Sequence, residues 1–269
     1  LEALNKELIK PNGMILTTGP TGSGKTTTLY AFLKKIYTPE AKIITLEDPI
    51  EYHLSGIVQT QVEESKGYTF SSGLRSILRQ DPDIIMVGEI RDAETAGVAM
   101  NAALTGHMVL STLHTNNAAG TIPRLIDLGA NPNIIAPAIN VTMAQRLIRK
   151  LCDVCKEKYN SNDEEKNIIK KVVDSFPPAY QHPDTQNFFL WKAIGCDACN
   201  GIGYKGRIGV FEAILIDNEM EALILKMPSE IEILTSAKNQ GILNMKQDGV
   251  LKVLTGVTSL GELQRVVEL

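Results

Sequence analysis

The stretch that decides the fold of this chain is Gly19-Pro20-Thr21-Gly22-Ser23-Gly24-Lys25-Thr26. It has the P-loop pattern, in which two glycines flank four residues and are followed by Lys and Ser or Thr, and it lies between an apolar run at residues 14–16 and a helix-like run at residues 27–35. Glycines let the loop amides point inward at phosphate, and the following helix directs the positive end of its dipole to the same place. We therefore predict that this stretch, together with Thr27, binds a nucleotide; the alternative is a glycine-rich turn without a ligand.

The overall composition is that of an ordinary globular protein. The residues are 43% hydrophobic and 22% charged. The length of 269 residues is enough for one large or two modest domains. The formal net charge of −4 argues against a motor that binds nucleic acid non-specifically. Because no run approaches the roughly 18 to 20 apolar residues of a membrane span, we expect a cytoplasmic protein that reaches the membrane only through partners.

Outside the P-loop, short apolar runs alternate with helical patterns, which predicts a mostly parallel α/β sheet. The strand candidates are residues 14–17, 42–46, 84–87 and 108–112. Ligands of such sheets bind at the carboxyl ends of the strands, and Glu47, Glu89 and His114 each lie just beyond a predicted strand. We expect these three side chains to converge with the P-loop on one edge of the sheet.

The polar residues of the P-loop and of the strand ends each have a predicted role in phosphoryl transfer to water. Lys25 is expected to reach the β- and γ-phosphates, and the Thr26 hydroxyl to bind Mg²⁺. Glu47 is predicted to be the base or water-positioning group and Glu89 to belong to the metal shell, and the two roles are interchangeable at this stage. The alternative for both is a capping or surface carboxylate. His114 is either a sensor of the γ-phosphate or a structural histidine.

The remaining segments carry weaker signals. We predict an edge strand at residues 57–62, a helix capped by Ser71 or Ser72 that ends at Arg79, and helices at residues 120–128 and 134–151. A capping box formed by Ser161 and Glu164 predicts one more helix. A strand at residues 208–211 and helices at 231–237, 245–254 and from Ser259 onward complete the prediction.

The four cysteines form two C-x-x-C pairs, Cys152 with Cys155 and Cys196 with Cys199. Their number and spacing predict a closed, structural Zn²⁺ site; the alternative is two redox or unused thiol pairs. We accordingly divide the chain into a core at residues 1–150, a zinc-binding element with an inserted helix at 151–212, and a helical C-terminal lobe at 213–269. The chain begins in mid-helix, so further sequence is expected upstream.

Four motifs in this order resemble the Walker A, Asp box, Walker B and His box of the type II secretion and type IV pilus ATPases: GPTGSGKTTTLY, TLEDPIEY, RQDPDIIMVGEIRDAETA and TGHMVLSTLHTN. The cysteine pairs followed by GYKGRIGVFE resemble the assembly and secretion branch, whereas retraction ATPases generally lack them. The resemblance implies a RecA-like P-loop core, a homo-hexameric ring, and an upstream domain that supplies arginines to the neighbouring site. A general Walker B motif has its acidic residue directly after the apolar strand, whereas here Gly88 takes that position and Glu89 follows it. This departure is typical of the family that the chain resembles.

The resemblance also implies the function. We expect an ATP-hydrolysing motor that acts on an inner-membrane platform protein at the inner face of the cytoplasmic membrane, without direct contact to nucleic acid. Type IV pilus assembly is the first interpretation and type II secretion the alternative; a nucleic-acid translocase and a non-hydrolysing scaffold are alternatives of other classes. ATP, Mg²⁺ and Zn²⁺ are the expected ligands. The candidates for contacts between subunits are Arg75, Arg79, Arg91, Arg146 and Arg149.

Overall fold

The computed structural model describes residues 2–178, 180–185 and 188–269. The chain forms two compact units, the first made of Leu1–Ala144 and Ile214–Gln240 and the second of Gln145–Ala213 and Gly241–Leu269. Residues 214–240, which are predicted to belong to the C-terminal lobe, thus cluster with the first unit. The functional division at residues 150 and 212 stays a prediction.

The first unit alternates strands and helices, as predicted. Its elements are α1 (Glu2–Leu8), β1 (Gly13–Thr18), α2 (Lys25–Ile36), β2 (Ile43–Glu47), β3 (Val58–Gln61), α3 (Phe70–Leu78), β4 (Ile84–Val87), α4 (Ala93–Leu104), β5 (Met108–Leu113), α5 (Thr121–Asp127), α6 (Pro132–Ala138), α8 (Asn218–Ile224) and α9 (Glu230–Ala237). Two further strands, β6 (Ile139–Leu151) and β9 (Tyr204–Leu215), divide their residues between the units.

The sheet has the strand order β3-β2-β4-β5-β1-β6-β9. Strands β2, β3, β4, β5, β1 and the first part of β6 pair in parallel. Every residue of β1, β2, β4 and β5 is buried, as expected of strands that are covered on both faces. The predicted α/β core is confirmed, and the carboxyl ends of β1, β2, β4 and β5 lie along one edge.

The helix predicted at residues 134–151 is wrong over most of its length. Only Pro132–Ala138 is helical, and Ile139–Leu151 is the strand β6, whose Ile139, Val141 and Thr142 pair in parallel with β1. Short apolar runs do not distinguish a buried strand from a buried helix by periodicity, and the β-branched residues here favour the pairing with β1.

Two predicted helix caps are displaced. Helix α3 is capped by Thr69, which forms a capping box with Ser72, so neither Ser71 nor Ser72 is the N-cap. In the second unit α7 (Asp163–Val173) is capped by Asn162 with Glu165, one residue later than predicted. The edge position of β3 and the cap of the last helix by Ser259 are confirmed.

The second unit holds a small antiparallel pair, β7 (Glu157–Asn160) and β8 (Phe189–Lys192), with α7, α10 (Met245–Leu254) and α11 (Leu260–Val266). A buried carboxylate, Glu262 of α11, accepts hydrogen bonds from the guanidinium and backbone amide of Arg149 and from the guanidinium of Arg265. Burial alone would raise the pKa of Glu262, but the hydrogen bonds from Arg265 and Arg149 outweigh it and lower this pKa to about 2. Within the described residues, no helix is long and apolar enough to cross a membrane.

Candidate functional site

The P-loop joins the carboxyl end of β1 to the first residue of α2. Gly19, Gly22 and Gly24 have φ values of 145°, 75° and 90°, a region that favours glycine. Gly24 is the N-cap of α2 and has no side chain to bond to the first amides of the helix. Pro20, Thr21, Gly22 and Thr27 are exposed, and Thr26 is half-buried in the first turn. The loop amides and the helix dipole are therefore available to an anion.

Lys25 is buried and bent back onto the loop that precedes it. Its Nζ donates to the carbonyl oxygens of Gly19, at 2.9 Å, and Pro20, at 3.1 Å. Burial lowers the pKa of Lys25, and the negative charge of Glu89 opposes that shift. The ammonium group thus has only neutral carbonyls as hydrogen-bond partners in the loop, and phosphate oxygens would be stronger acceptors.

Glu89 lies two residues beyond β4 and carries most of the ionic contacts at this edge. Its carboxylate pairs with Arg91, and its Oε2 lies 3.3 Å from His114 Nε2. Arg91 also lies 3.5 Å from the carboxylate of Asp48, and its hydrogen bond with Glu89 raises the pKa of the guanidinium. The side chain of Glu89 is 17% exposed and that of His114 is 52% exposed, so solvent reaches both.

Glu47, the last residue of β2, has different surroundings. Its side chain is buried and accepts hydrogen bonds from Tyr30, from Thr45 at 2.5 Å and from Gln59 at 3.0 Å. Burial together with the bond to Glu47 raises the pKa of Tyr30. A buried carboxylate needs such donors, and here three side chains supply them.

Hydrogen bonds between the strand ends fix the spacing of the loops. At the end of β1, Thr18 Oγ1 accepts from the amide of Thr115 at 2.8 Å and lies 2.7 Å from the Thr115 hydroxyl. At the end of β5, the Thr112 hydroxyl donates to the carbonyl of Gly88 at 2.8 Å. The loop that carries His114 is thereby tied to both the P-loop strand and the segment before Glu89.

Of the predicted site residues, Glu89 lies 3.3 Å from His114, and its negative charge acts on the pKa of Lys25. Glu47 is held instead by Tyr30, Thr45 and Gln59. Sequence reasoning missed Tyr30 and Gln59 as partners of Glu47, because they belong to other elements, α2 and β3. It also missed Arg91 as a partner of Glu89, although the two residues lie in the same loop. Among the other candidate arginines, Arg75 pairs with Glu94 at 3.2 Å and Arg149 with Glu262 at 2.6 Å. Arg79 is exposed at the end of α3.

The four predicted metal ligands form one cluster in the second unit. All four are free thiols, and their Sγ atoms lie within 4.8 Å of one another. Backbone amides of Cys196 and Gly203 donate to Cys199 Sγ, each at 3.2 Å, and the amide of Gly195 donates to Cys155 Sγ at 3.3 Å. Burial would raise the pKa of Cys199, but the two amides, from Cys196 and Gly203, help lower it to about 7. Four converging sulfurs stabilised by amides fit a tetrahedral Zn²⁺ site.

Comparison with known proteins identifies the family. The family described as Type II/IV secretion system protein matches residues 1–265. The chain belongs to this family. Type II secretion system protein E of Pseudomonas aeruginosa is 48% identical over 263 residues, which cover 98% of this chain and 50% of the relative. The type IV pilus assembly ATPase PilB of Thermus thermophilus is 44% identical over 265 residues, which cover 98% of this chain and 29% of the relative.

Two solved structures share the fold of this chain. The pilus retraction motor PilT with bound ADP matches with a TM-score of 0.69 at 26% identity, over 98% of this chain and 64% of that one. The Legionella pneumophila ATPase DotB matches with a TM-score of 0.68 at 25% identity, over 98% and 62%. The predicted family and fold class are confirmed, and the chain spans about half the length of the type II secretion relative.

Proposed function

We propose that this chain is the ATP-hydrolysing motor segment of a secretion or pilus-assembly ATPase. The observation that carries the proposal is the position of Lys25, which is held inside a glycine-rich loop at the carboxyl edge of a parallel sheet. The negative charge of Glu89 acts to raise the pKa of Lys25. This is the arrangement that phosphoryl transfer requires, a preformed cationic cradle beside a carboxylate. Several relatives are named as ATPases, among them ATPases of pilus assembly.

The P-loop would bind the nucleotide through Gly19, Pro20, Thr21, Gly22, Ser23, Gly24, Lys25, Thr26 and Thr27. Lys25 would exchange its two carbonyl partners for phosphate oxygens, which accept more strongly because they are charged. Thr26 would hold Mg²⁺, with Glu89 in its outer shell. Mg²⁺ neutralises charge on the β- and γ-phosphates when it is bound.

The carboxylates of Glu47 and Glu89 differ in how accessible they are to water. Glu47 is 2% exposed and already accepts three side-chain hydrogen bonds, whereas Glu89 is open to solvent on one side. The burial favours Glu89, which would also lie in the outer shell of Mg²⁺, as the group that orients water, a role first assigned to Glu47. His114, 3.3 Å from Glu89, is placed to follow the state of that carboxylate or of the γ-phosphate.

The cysteine cluster would hold a structural Zn²⁺ through Cys152, Cys155, Cys196 and Cys199. Four sulfurs fill a tetrahedral shell, so the ion would stabilise the second unit without taking part in hydrolysis.

The ATPase would work as a homo-hexamer in the cytoplasm, against an inner-membrane platform protein, and would touch the membrane only through partners. Type IV pilus assembly and type II secretion are supported equally, since relatives of both kinds cover nearly the whole chain. Loss of the gene would abolish surface pili in the first case and leave exported enzymes inside the cell envelope in the second. A translocase of nucleic acid is disfavoured by the net charge of −4.

The Glu89→Gln variant separates a motor from a non-hydrolysing scaffold. It should bind ATP about as tightly as the unmodified protein and hydrolyse it at least 100-fold more slowly, because an amide is a far weaker proton acceptor. Binding of a fluorescent ATP analogue and release of phosphate measure the two effects. Glu94→Gln, an exposed carboxylate in the first turn of α4, is the matched control. Full turnover by Glu89→Gln would refute hydrolysis at this site.

A further inference from the structure

The buried carboxylate of Glu47 links three elements of the first unit. Its Oε2 accepts from Tyr30, which belongs to α2, and its Oε1 accepts from Thr45 of β2 and Gln59 of β3. Helix α2 begins at Lys25, so Tyr30 connects the P-loop helix to the end of β2. We propose that Tyr30 and Gln59 are positioning residues for ATP hydrolysis that act through Glu47; this inference rests on the function proposed above.

Gln59 uses both ends of its amide. Its Nε2 donates to Glu47 and also to the carbonyl of Tyr52 at 3.2 Å, while its Oε1 accepts from the amide of Leu54 at 2.7 Å. The ring of Tyr52 in turn packs edge-on against Tyr30, with centroids 4.7 Å apart. The segment that follows Glu47 is therefore held to the same cluster as its carboxylate.

Direct backbone packing couples the position of Glu47 to that of Glu89. The amide of Gly88 donates to the carbonyl of Leu46 at 2.8 Å. A Cβ at Gly88 would lie 3.3 Å from that carbonyl oxygen and 3.5 Å from the Cα of Glu47, so the two backbones are in close contact. Glu89 is the next residue after Gly88, and a shift at the end of β2 would move it.

A second connection between the end of β2 and Glu89 runs through side chains. Asp48 follows Glu47 and lies 3.5 Å from Arg91, which pairs with Glu89. Both paths end at Glu89, and neither passes through a group that would hold the phosphates. Loosening the cluster should therefore slow the chemical step and leave nucleotide affinity nearly unchanged.

The test uses the native full-length protein that contains this chain. Tyr30→Phe and Gln59→Leu should each lower kcat for ATP by about 10- to 100-fold, with KM and the affinity for a fluorescent ATP analogue within about twofold. The matched controls are Tyr37→Phe at the end of the same helix and Gln61→Leu on the same face of β3, where Gln61 accepts from the amide of Ile50. Both controls should keep kcat within about twofold.

A double-mutant cycle tests whether Tyr30 acts through Glu47. Adding Tyr30→Phe to Glu47→Gln should slow the reaction by less than about twofold beyond Glu47→Gln alone. The inference is overturned if the double variant is slowed by the product of the two separate effects. It is also overturned if kcat is unchanged in both Tyr30→Phe and Gln59→Leu. An equal loss of kcat and analogue binding in variants whose melting temperatures match the unmodified protein would overturn it as well. If the unmodified protein neither binds nor hydrolyses ATP, the proposed function fails, and this inference fails with it.

Discussion

Lys25 is the residue on which nucleotide binding depends most directly. Its side chain is buried in the loop that it would share with the β- and γ-phosphates, and burial already lowers its pKa. Lys25→Ala removes the only cation of the P-loop sequence, so ATP affinity should fall by at least about 30-fold, the value of one or two charge-assisted hydrogen bonds.

A fluorescent ATP analogue measures this loss, and Lys35→Ala, exposed in the last turn of the same helix, is the control. An affinity that Lys25→Ala leaves unchanged would show that the P-loop does not bind the nucleotide.

Single residues also show where sequence reasoning succeeds and where it stops. The loop from Gly19 to Thr26 and the cysteine pairs are local patterns, so their chemistry is visible in the sequence alone. The bonds of Glu47 to Tyr30 and Gln59 join residues 17 and 12 positions apart on different elements. No periodicity encodes such a contact, and only the packed sheet creates it.

At the scale of elements, strand β6 shows a second limit. Its residues are apolar at spacings that also suit a helix, and the pairing with β1, which no local signal specifies, makes them a strand. The core strands β1, β4 and β5 were predictable because they are short, continuously apolar and followed by polar residues.

The stability of the segments that carry the four cysteines should depend on bound Zn²⁺. Cys196→Ser removes one of four ligands, so the protein should release Zn²⁺ and melt at a lower temperature, with ATP affinity nearly unchanged. Metal analysis and thermal melting measure these effects. Ala198→Ser, an exposed change between Cys196 and Cys199, should retain the metal. Loss of ATP binding at an unaltered melting temperature would contradict a structural role.

The contact of α11 with Arg149 makes stability depend on pH. Glu262 has a pKa lowered to about 2 in the folded protein, from an ordinary value of 4.5. Its contribution is therefore complete above about pH 4.5 and is lost as the pH falls toward 2. Glu262→Gln should cost about 2 kcal/mol of unfolding free energy at pH 7 and progressively less below pH 4.5.

Urea unfolding at pH 7 and pH 3 measures this difference. Glu164→Gln, an exposed carboxylate in the first turn of α7, should change stability little at either pH. A cost of Glu262→Gln that is the same at both values would show that the two arginines do not hold an ionised carboxylate.

At the scale of the molecule, the parallel sheet places its chemistry along one edge. Strands β1, β4 and β5 are each followed by one of Lys25, Glu89 and His114, and hydrogen bonds of Thr18 and Thr112 connect the ends of these strands. The order of motifs in the sequence predicted this convergence, because parallel strands end on the same side.

The central claim is that this edge hydrolyses ATP as part of a motor whose sites are completed by neighbouring subunits. It is tested most directly by the ATPase rate and size distribution of this 269-residue chain, measured beside the native full-length protein. We expect the full-length protein to form rings and hydrolyse ATP, and this chain to bind ATP with much slower turnover. If the 269-residue chain is fully active as a monomer, the site is complete in one subunit and the claim is wrong.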